Sequence, residues 1–252
     1  MFPYITLFHR TIPTYGLFLT AGLLTACALA MVRASREGRN RDHLLIIAAV
    51  AFGCGLVGAK LLYILVTYPL QKVWTWICAF DFSFLQESGL VFYGGLAAGI
   101  LGAIWGAKIA GARLLDYEAV IVPCIPIGHA IGRIGCLAAG CCRGVAYDGF
   151  LAVYYPGIKT GFFPVQLLEA AANLAVAGVL MLFAGRKRER LSMILLYLTM
   201  YAVERFCLEF LRGDPERGVF LIFSTSQWIS LALGAVCLVL YLGRRSWKGA
   251  PC

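Results

Sequence analysis

Long, unbroken apolar runs constrain this chain more than any other feature. Segments such as Leu44–Val66 and Val165–Ala184 carry almost no charge over the length needed to cross a bilayer. A helix of roughly 20 residues spans the hydrocarbon core, and it satisfies its own backbone hydrogen bonds where no water is available. A membrane barrel would alternate polar and apolar residues instead, and these runs do not alternate. Composition agrees: 61% of the residues are hydrophobic and 14% charged, with a mean hydropathy of +0.81. A soluble domain needs nearly twice that charged fraction to cover its surface. The expected fold is therefore all-α, a polytopic membrane helical bundle with about seven transmembrane helices, forming a single integral-membrane domain over residues 1–252. No cleavable signal peptide is expected, because the first apolar run is long enough to span and ends in a basic stop.

The expected spans are 14–32, 43–66, 90–109, 116–134, 166–184, 192–211 and 225–243. The net charge of +9 would suggest nucleic acid in a soluble protein, but here most of the excess sits in short loops. Arg33, Arg36, Arg39 and Arg41 lie in the first, Lys108 and Arg113 in the third, and Arg186, Lys187, Arg188 and Arg190 in the fifth. Arg244, Arg245 and Lys248 lie in the tail. With seven spans these all fall on one side, and basic loops face the cytoplasm. The chain is thus expected N-out and C-in, with no nucleic-acid partner. The longer segments 67–89 and 135–165 fall outside, and their Trp74, Trp76, Tyr147, Tyr154 and Tyr155 suit a membrane interface.

The charges left inside the spans are the functional candidates, since an ionisable group in lipid is costly. They are Lys60, Arg133, Glu169, Glu204, Arg205, Glu209 and Arg212. Arg205, Glu209 and Arg212 are spaced i, i+4, i+7 and share one helical face. Such a stripe serves either as a buried ion-pair network, with Arg205 and Arg212 paired to Glu209 and Glu169, or as an anion site. Arginine forks match phosphate oxygens, and in a membrane the available phosphate is a phospholipid headgroup.

Two further segments stand out. Gly132-Arg133-Ile134-Gly135-Cys136 continues to Gly140-Cys141-Cys142-Arg143-Gly144. Its glycines allow close backbone approach, and its three thiols form a possible thiol site at Cys136, Cys141 and Cys142. They read equally as small packing residues, as a disulfide between Cys136 and one of the other two on an oxidising face, or as redox-active thiols. C-x4-C-C is not a standard zinc spacing even with His129 nearby, so no metal is expected. The second segment, Phe92-Tyr93-Gly94-Gly95-Leu96, sets a phenol beside small residues at a span entrance. It reads as helix packing, an interface anchor or an acid/base group.

Five motifs carry a resemblance over about Pro13 to Arg245. They are Tyr15-Gly16-Leu17, Phe92-Tyr93-Gly94-Gly95-Leu96, Gly132-Arg133-Ile134-Gly135, Pro164-x-Gln166-Leu167-x-Glu169, and Arg205-x-x-x-Glu209-Phe210-x-Arg212. In that order they resemble the bacterial prolipoprotein diacylglyceryl transferases. These are seven-helix inner-membrane enzymes that move the diacylglyceryl group of phosphatidylglycerol onto a lipobox cysteine thiol and release glycerol phosphate. The resemblance implies a multi-pass protein of the bacterial cytoplasmic (inner) membrane. It implies phosphatidylglycerol and a prolipoprotein lipobox peptide, or another thiol acceptor, as partners besides membrane lipids, and no cofactor. It assigns Arg133 to the lipid phosphate and Arg205 to the leaving phosphate, with Glu209 and Arg212 ordering that site. Tyr93 falls at a catalytic position, and Tyr15, Gly94, Gly95, Gln166, Glu169 and Arg212 at substrate-binding ones.

The chain departs from the family pattern in three places. Tyr93 stands where the family has histidine, and a phenol is a poorer base than an imidazole at neutral pH. His129, one helical turn before Arg133, is a candidate stand-in. Cys136, Ala139 and Cys141 replace two asparagines and a glutamate, and the outer region is short. Two other readings therefore stand beside the transferase: a thiol-based membrane enzyme using Cys136, Cys141 and Cys142, and a non-catalytic lipid-binding membrane protein.

Overall fold

The computed structural model describes residues 2–7, 10–79, 89, 91–185, 191–213 and 219–248. They form two compact units, Met31–Tyr117 and Met1–Ala30 with Glu118–Cys252. Helices dominate, as the apolar runs require. Six helical segments among the described residues are long and apolar enough to cross a membrane: Thr14–Arg36, Arg41–Thr67, Phe92–Ile109, Leu114–Ala139, Val165–Ala184 and Thr225–Gly243. Each falls within a few residues of an expected span. The seventh expected span, 192–211, is a helix at Ser192–Glu209 with the same 18-residue length as Phe92–Ile109. Glu204, Arg205 and Glu209 set it apart from the six by composition. Basic residues 186–190, which enter the expected orientation, lie outside the described residues, as do the side chains of Arg244, Arg245 and Lys248.

In the unit Met31–Tyr117, the end of α1 (Thr14–Arg36) is followed by α2 (Arg41–Thr67), α3 (Leu70–Cys78) and α4 (Phe92–Ile109). Asn40 caps α2 by accepting the Asp42 N–H at 2.8 Å, which satisfies one orphan donor of the first turn. α2 and α4 pack along a row of small residues. A Cβ added to Gly58 would fall 2.2 Å from the Ala98 Cβ, one on Gly94 2.4 Å from the Gly58 carbonyl oxygen, and one on Gly102 2.7 Å from the Cys54 Cβ. Residues 94, 98, 102 and 106 recur every four positions and are all Gly or Ala, so the two backbones come close where apolar burial alone gives little drive. The opposite face of α4 exposes Ile100 and Ile104, as a lipid-facing surface does. Within the segment 67–89, α3 (Leu70–Cys78) is a short helix whose Trp76 meets Tyr68 at 4.9 Å and lies beneath Lys72.

In the other unit, β1 (Tyr4–Leu7) and β2 (Arg10–Pro13) form an antiparallel hairpin leading into α1. The Phe2 N–H donates to the Ala138 carbonyl at 3.0 Å, and the Thr14 hydroxyl donates to the Phe2 carbonyl. A short α5 (Glu118–Ile121) and a 3-10 turn at Val122–Cys124 precede α6 (Ile125–Ala139). Pro123 and Pro126 interrupt the hydrogen-bond ladder and divide this run into short pieces. α6 ends at Gly140, whose φ of 80° is open to glycine without strain. α7 (Val165–Ala184), α8 (Ser192–Glu209) and α9 (Thr225–Lys248) complete the unit. Two further hairpins lie between helices, β3 (Val153–Tyr154) with β4 (Gly161–Phe162) between α6 and α7, and β5 (Val219–Phe220) with β6 (Phe223–Ser224) between α8 and α9. Val122, Val176, Leu180 and Met193 form an apolar core between α7 and α8, with Tyr197 and Met200 packed against it.

Candidate functional site

The site is built around one carboxylate. Glu169 lies one turn into α7 and is 3% exposed. A charge so buried needs partners, and three guanidinium groups supply them. Arg212 Nη1 donates to Glu169 Oε1 at 3.0 Å, with both side chains 3% exposed. Arg205 Nη1 approaches the same oxygen at 3.4 Å. Arg133, from α6, places its Nε 2.9 Å from Oε2. That last contact is an ion pair by distance only: among the described residues neither atom makes an aligned hydrogen bond. Arg205 lies on α8, whereas Arg212 lies past the helix end at Glu209, in the segment that bridges Gly144, so the turn after α8 rather than the expected i, i+7 helical face brings Arg212 to Glu169.

A second layer orients the arginines. Arg205 Nη2 donates to Glu209 Oε2 at 3.0 Å and to the Ser226 hydroxyl at 3.1 Å. Glu209 Oε1 accepts from the Ser224 hydroxyl at 2.8 Å. Ser224 is also the N-cap of α9. Its hydroxyl accepts the Gln227 N–H, and the Gln227 side chain accepts the Ser224 N–H at 2.9 Å, the reciprocal pairing of a capping box. The start of α9 is thereby tied to the charged face of α8. On the other side of Glu169, Asn173 donates to Glu204 Oε1 at 2.6 Å. His129 sits with its ring 6.0 Å from that of Tyr201.

The segment after α6 closes the site. Gly144 pairs with Arg212 as an isolated bridge, the Val145 N–H donates to the Leu211 carbonyl, and the Gly213 N–H donates to the Arg143 carbonyl. A Cβ on Gly144 would fall 2.3 Å from the Phe163 carbonyl oxygen, so this crossing needs glycine. Gln166, fully buried, donates from Nε2 to the Cys141 carbonyl at 2.9 Å and to the Tyr155 hydroxyl at 3.0 Å. Burial pushes the Tyr155 phenol above its ordinary range. Cys136, Cys141 and Cys142 are free thiols that lie within 4.8 Å of one another. Thiol hydrogen bonds from Cys136 and Cys141, and then the nearby Arg212 and Arg133, hold Cys142 well below the usual thiol range.

Arg133, Glu169, Arg205, Glu209 and Arg212 thus meet in one cluster, and Gln166 and the three cysteines border it. Tyr15 opens α1 and is within electrostatic range of Arg133 and Cys136. Nearby, α1 packs on α6 so closely that a Cβ on Gly135 would fall 2.4 Å from the Phe18 Cβ. Tyr93, Gly94 and Gly95 belong to the other unit. Tyr93 is exposed and stacks edge-on with Phe92, and the two glycines face α2. Asn173, Ser224, Ser226 and Gln227 were not among the sequence candidates. Asn173, a buried amide in an apolar span, and the Ser-Thr-Ser-Gln capping pattern were the signals available for them.

Three guanidinium groups around Glu169 and Glu209 make an arginine-rich cluster at the end of a helical bundle. Such a cluster can hold an anionic oxygen group and meet charge that develops on it. The family profile described as prolipoprotein diacylglyceryl transferase matches residues 3–242. Among curated relatives, the phosphatidylglycerol–prolipoprotein diacylglyceryl transferase 2 of Clostridium perfringens is 28% identical over 240 residues, covering 93% of this chain and 92% of its own. The transferases of Clostridium tetani and Clostridioides difficile are each 30% identical. They cover 89% and 96% of this chain, and 90% and 95% of their own lengths.

Proposed function

Because the chain belongs to the prolipoprotein diacylglyceryl transferase family, we propose that it transfers the diacylglyceryl group of phosphatidylglycerol to a cysteine thiol of a prolipoprotein. The observation that carries this reading is the convergence of Arg133, Arg205 and Arg212 on buried Glu169. The lipid phosphate enters beside these guanidinium groups. Arg133, whose Nε–H has no aligned acceptor among the described residues, holds it, and Arg205 stabilises the charge that gathers on it. Glu169, Glu209 and Arg212 keep the arginines in place, and Gln166 fixes the adjoining segment. Tyr15, within electrostatic range of Arg133, borders the site.

In the reaction the acceptor thiol loses its proton and its sulfur forms a bond to the glyceryl carbon. The bond from that carbon to phosphate oxygen breaks, and glycerol phosphate leaves with the electron pair. Of the two candidates for the thiol proton, His129 lies in the same unit as the arginines and Tyr93 in the other, so His129 takes that role. The acceptor is the lipobox cysteine, and the multi-pass protein resides in the bacterial cytoplasmic membrane.

Purified protein in phosphatidylglycerol vesicles, given a lipobox peptide, is expected to yield thioether-linked diacylglyceryl peptide and equimolar glycerol phosphate. A peptide with serine in place of the cysteine is expected to yield none. Absence of product with the cysteine peptide, despite phospholipid binding, overturns the proposal and leaves the lipid-binding reading.

A further inference from the structure

Cys136, Cys141 and Cys142 play no part in the transfer just described, yet they are gathered more closely than sequence spacing requires. α6 carries Cys136 to its last turn, and the left-handed turn at Gly140 reverses the chain. The Cys141 N–H then donates back to the Cys136 carbonyl at 3.1 Å. Cys142 adopts a φ of 56°, a left-handed conformation uncommon for a residue with a side chain. Such a conformation persists only where the surroundings enforce it. Here they do. Gln166 holds the Cys141 carbonyl, and the strand contacts of Arg143 and Val145 with residues 211–213 pin the chain just beyond.

The outcome is a triangle of sulfurs, all within 4.8 Å of one another. A trigonal site with metal–sulfur bonds of about 2.3 Å needs sulfurs about 4 Å apart, so small side-chain rotations complete one. Among the described residues the group contains these three thiols and no histidine or carboxylate. A structural zinc site calls for four ligands, which this group lacks. Thiolate-only donors in low coordination suit a soft monovalent ion. The exposed Cys141 provides an entry path, Cys136 is buried, and Arg212 and Arg133 lie near enough to offset the negative charge of a metal thiolate.

We infer that Cys136, Cys141 and Cys142 form a three-coordinate thiolate site for a soft monovalent metal ion, with Cu(I) as its representative. Binding releases the protons of whichever thiols are still protonated and involves no change of oxidation state. C-x4-C-C is no standard zinc pattern, and the fold explains why it need not be. The turn at Gly140 brings the thiols together without the usual spacing.

The test is anaerobic titration of the purified, reduced full-length protein in detergent with Cu(I), against a colorimetric Cu(I) chelator as competitor. Wild type is expected to take one equivalent, with X-ray absorption showing a three-sulfur shell. The triple variant C136S/C141S/C142S is expected to lose that equivalent, whereas C78S/C207S, which removes two exposed cysteines elsewhere, is expected to keep it. Should the triple variant fail to fold, Cys142→Ser serves alone. Loss of an outer-shell partner weakens metal sites roughly 10–100-fold, so loss of a ligand is expected to weaken this one by at least that much. Equal Cu(I) uptake by wild type and the folded triple or Cys142→Ser variant overturns the inference. So does a shell containing nitrogen or oxygen, or tighter Zn(II) than Cu(I) binding at these cysteines.

Discussion

Replacing Glu169 with Gln keeps the shape of the side chain and removes the one charge on which three arginines converge. Arg133, Arg205 and Arg212 stand 2.9, 3.4 and 3.0 Å from its oxygens. With charge centres about 4 Å apart and an effective dielectric of 20, each pair is worth roughly 4 kcal/mol gross. Desolvation of a carboxylate only 3% exposed offsets much of that. What remains is the cost of stranding buried cations, about 3–5 kcal/mol. For a chain of this size that is a fall of roughly 6–20 °C in unfolding temperature. The arginines also lose their fixed geometry, and a misplacement of that kind costs about 100-fold in turnover. Thermal unfolding in detergent and the transfer assay with vesicle phosphatidylglycerol measure both. A Glu169→Gln protein that melts within a degree of wild type and transfers at the same rate would refute the view that this carboxylate organises the cluster.

Three other outcomes follow from the same geometry. Arg212→Lys keeps the charge but loses the guanidinium Nη1 that donates to Glu169 Oε1, and is expected to lower transfer roughly 10- to 100-fold while the protein remains folded. Gly58→Val forces a side chain into the α2–α4 contact, where even a Cβ would lie 2.2 Å from that of Ala98, and is expected to cost about 1–3 kcal/mol in detergent unfolding. The Cys142 thiol is held low by thiol hydrogen bonds and by Arg212 and Arg133, so its thiolate persists as the pH falls. Alkylation of Cys142, read by mass spectrometry, is expected to stay nearly constant from pH 8.5 to 6, whereas that of a free cysteine peptide of ordinary pKa falls.

Much of the fold was legible because lipid is a simple solvent. Apolar length alone located the helices, and the end of α2 at Thr67 and the start of α7 at Val165 lie within a residue of the expected boundaries. The hairpins and α3 were not legible. Pairs such as Val153–Tyr154 with Gly161–Phe162 are too short for periodicity to show. α3 was hidden by its tryptophans, which read as interface residues in any conformation.

The candidate site was partly legible for a related reason. Every charge in a span had to be explained, and the i, i+4 spacing paired Arg205 with Glu209 on α8, whereas Arg212, expected on the same helical face, lies beyond the helix end. The identity of the partners was a tertiary matter. The sequence offered Arg205 and Arg212 for Glu169 or Glu209. Only the family resemblance set Arg133 at the same phosphate, and nothing in the sequence showed that it meets Glu169 or that Ser224 links Glu209 to the start of α9. The proximity of the three thiols depended on the left-handed turn at Gly140 and Cys142, which C-x4-C-C alone does not specify.

The central claim is that the arginines around Glu169 act on the phosphate of phosphatidylglycerol during transfer. Single-turnover transfer by Arg133→Ala and Arg205→Ala proteins, each shown to be folded by its unfolding transition, tests it most directly. Losing one such donor costs about 100- to 1,000-fold, so lipidated peptide and glycerol phosphate are expected to fall together by at least that factor in both. A folded Arg205→Ala protein that releases both products at the wild-type rate would contradict the account.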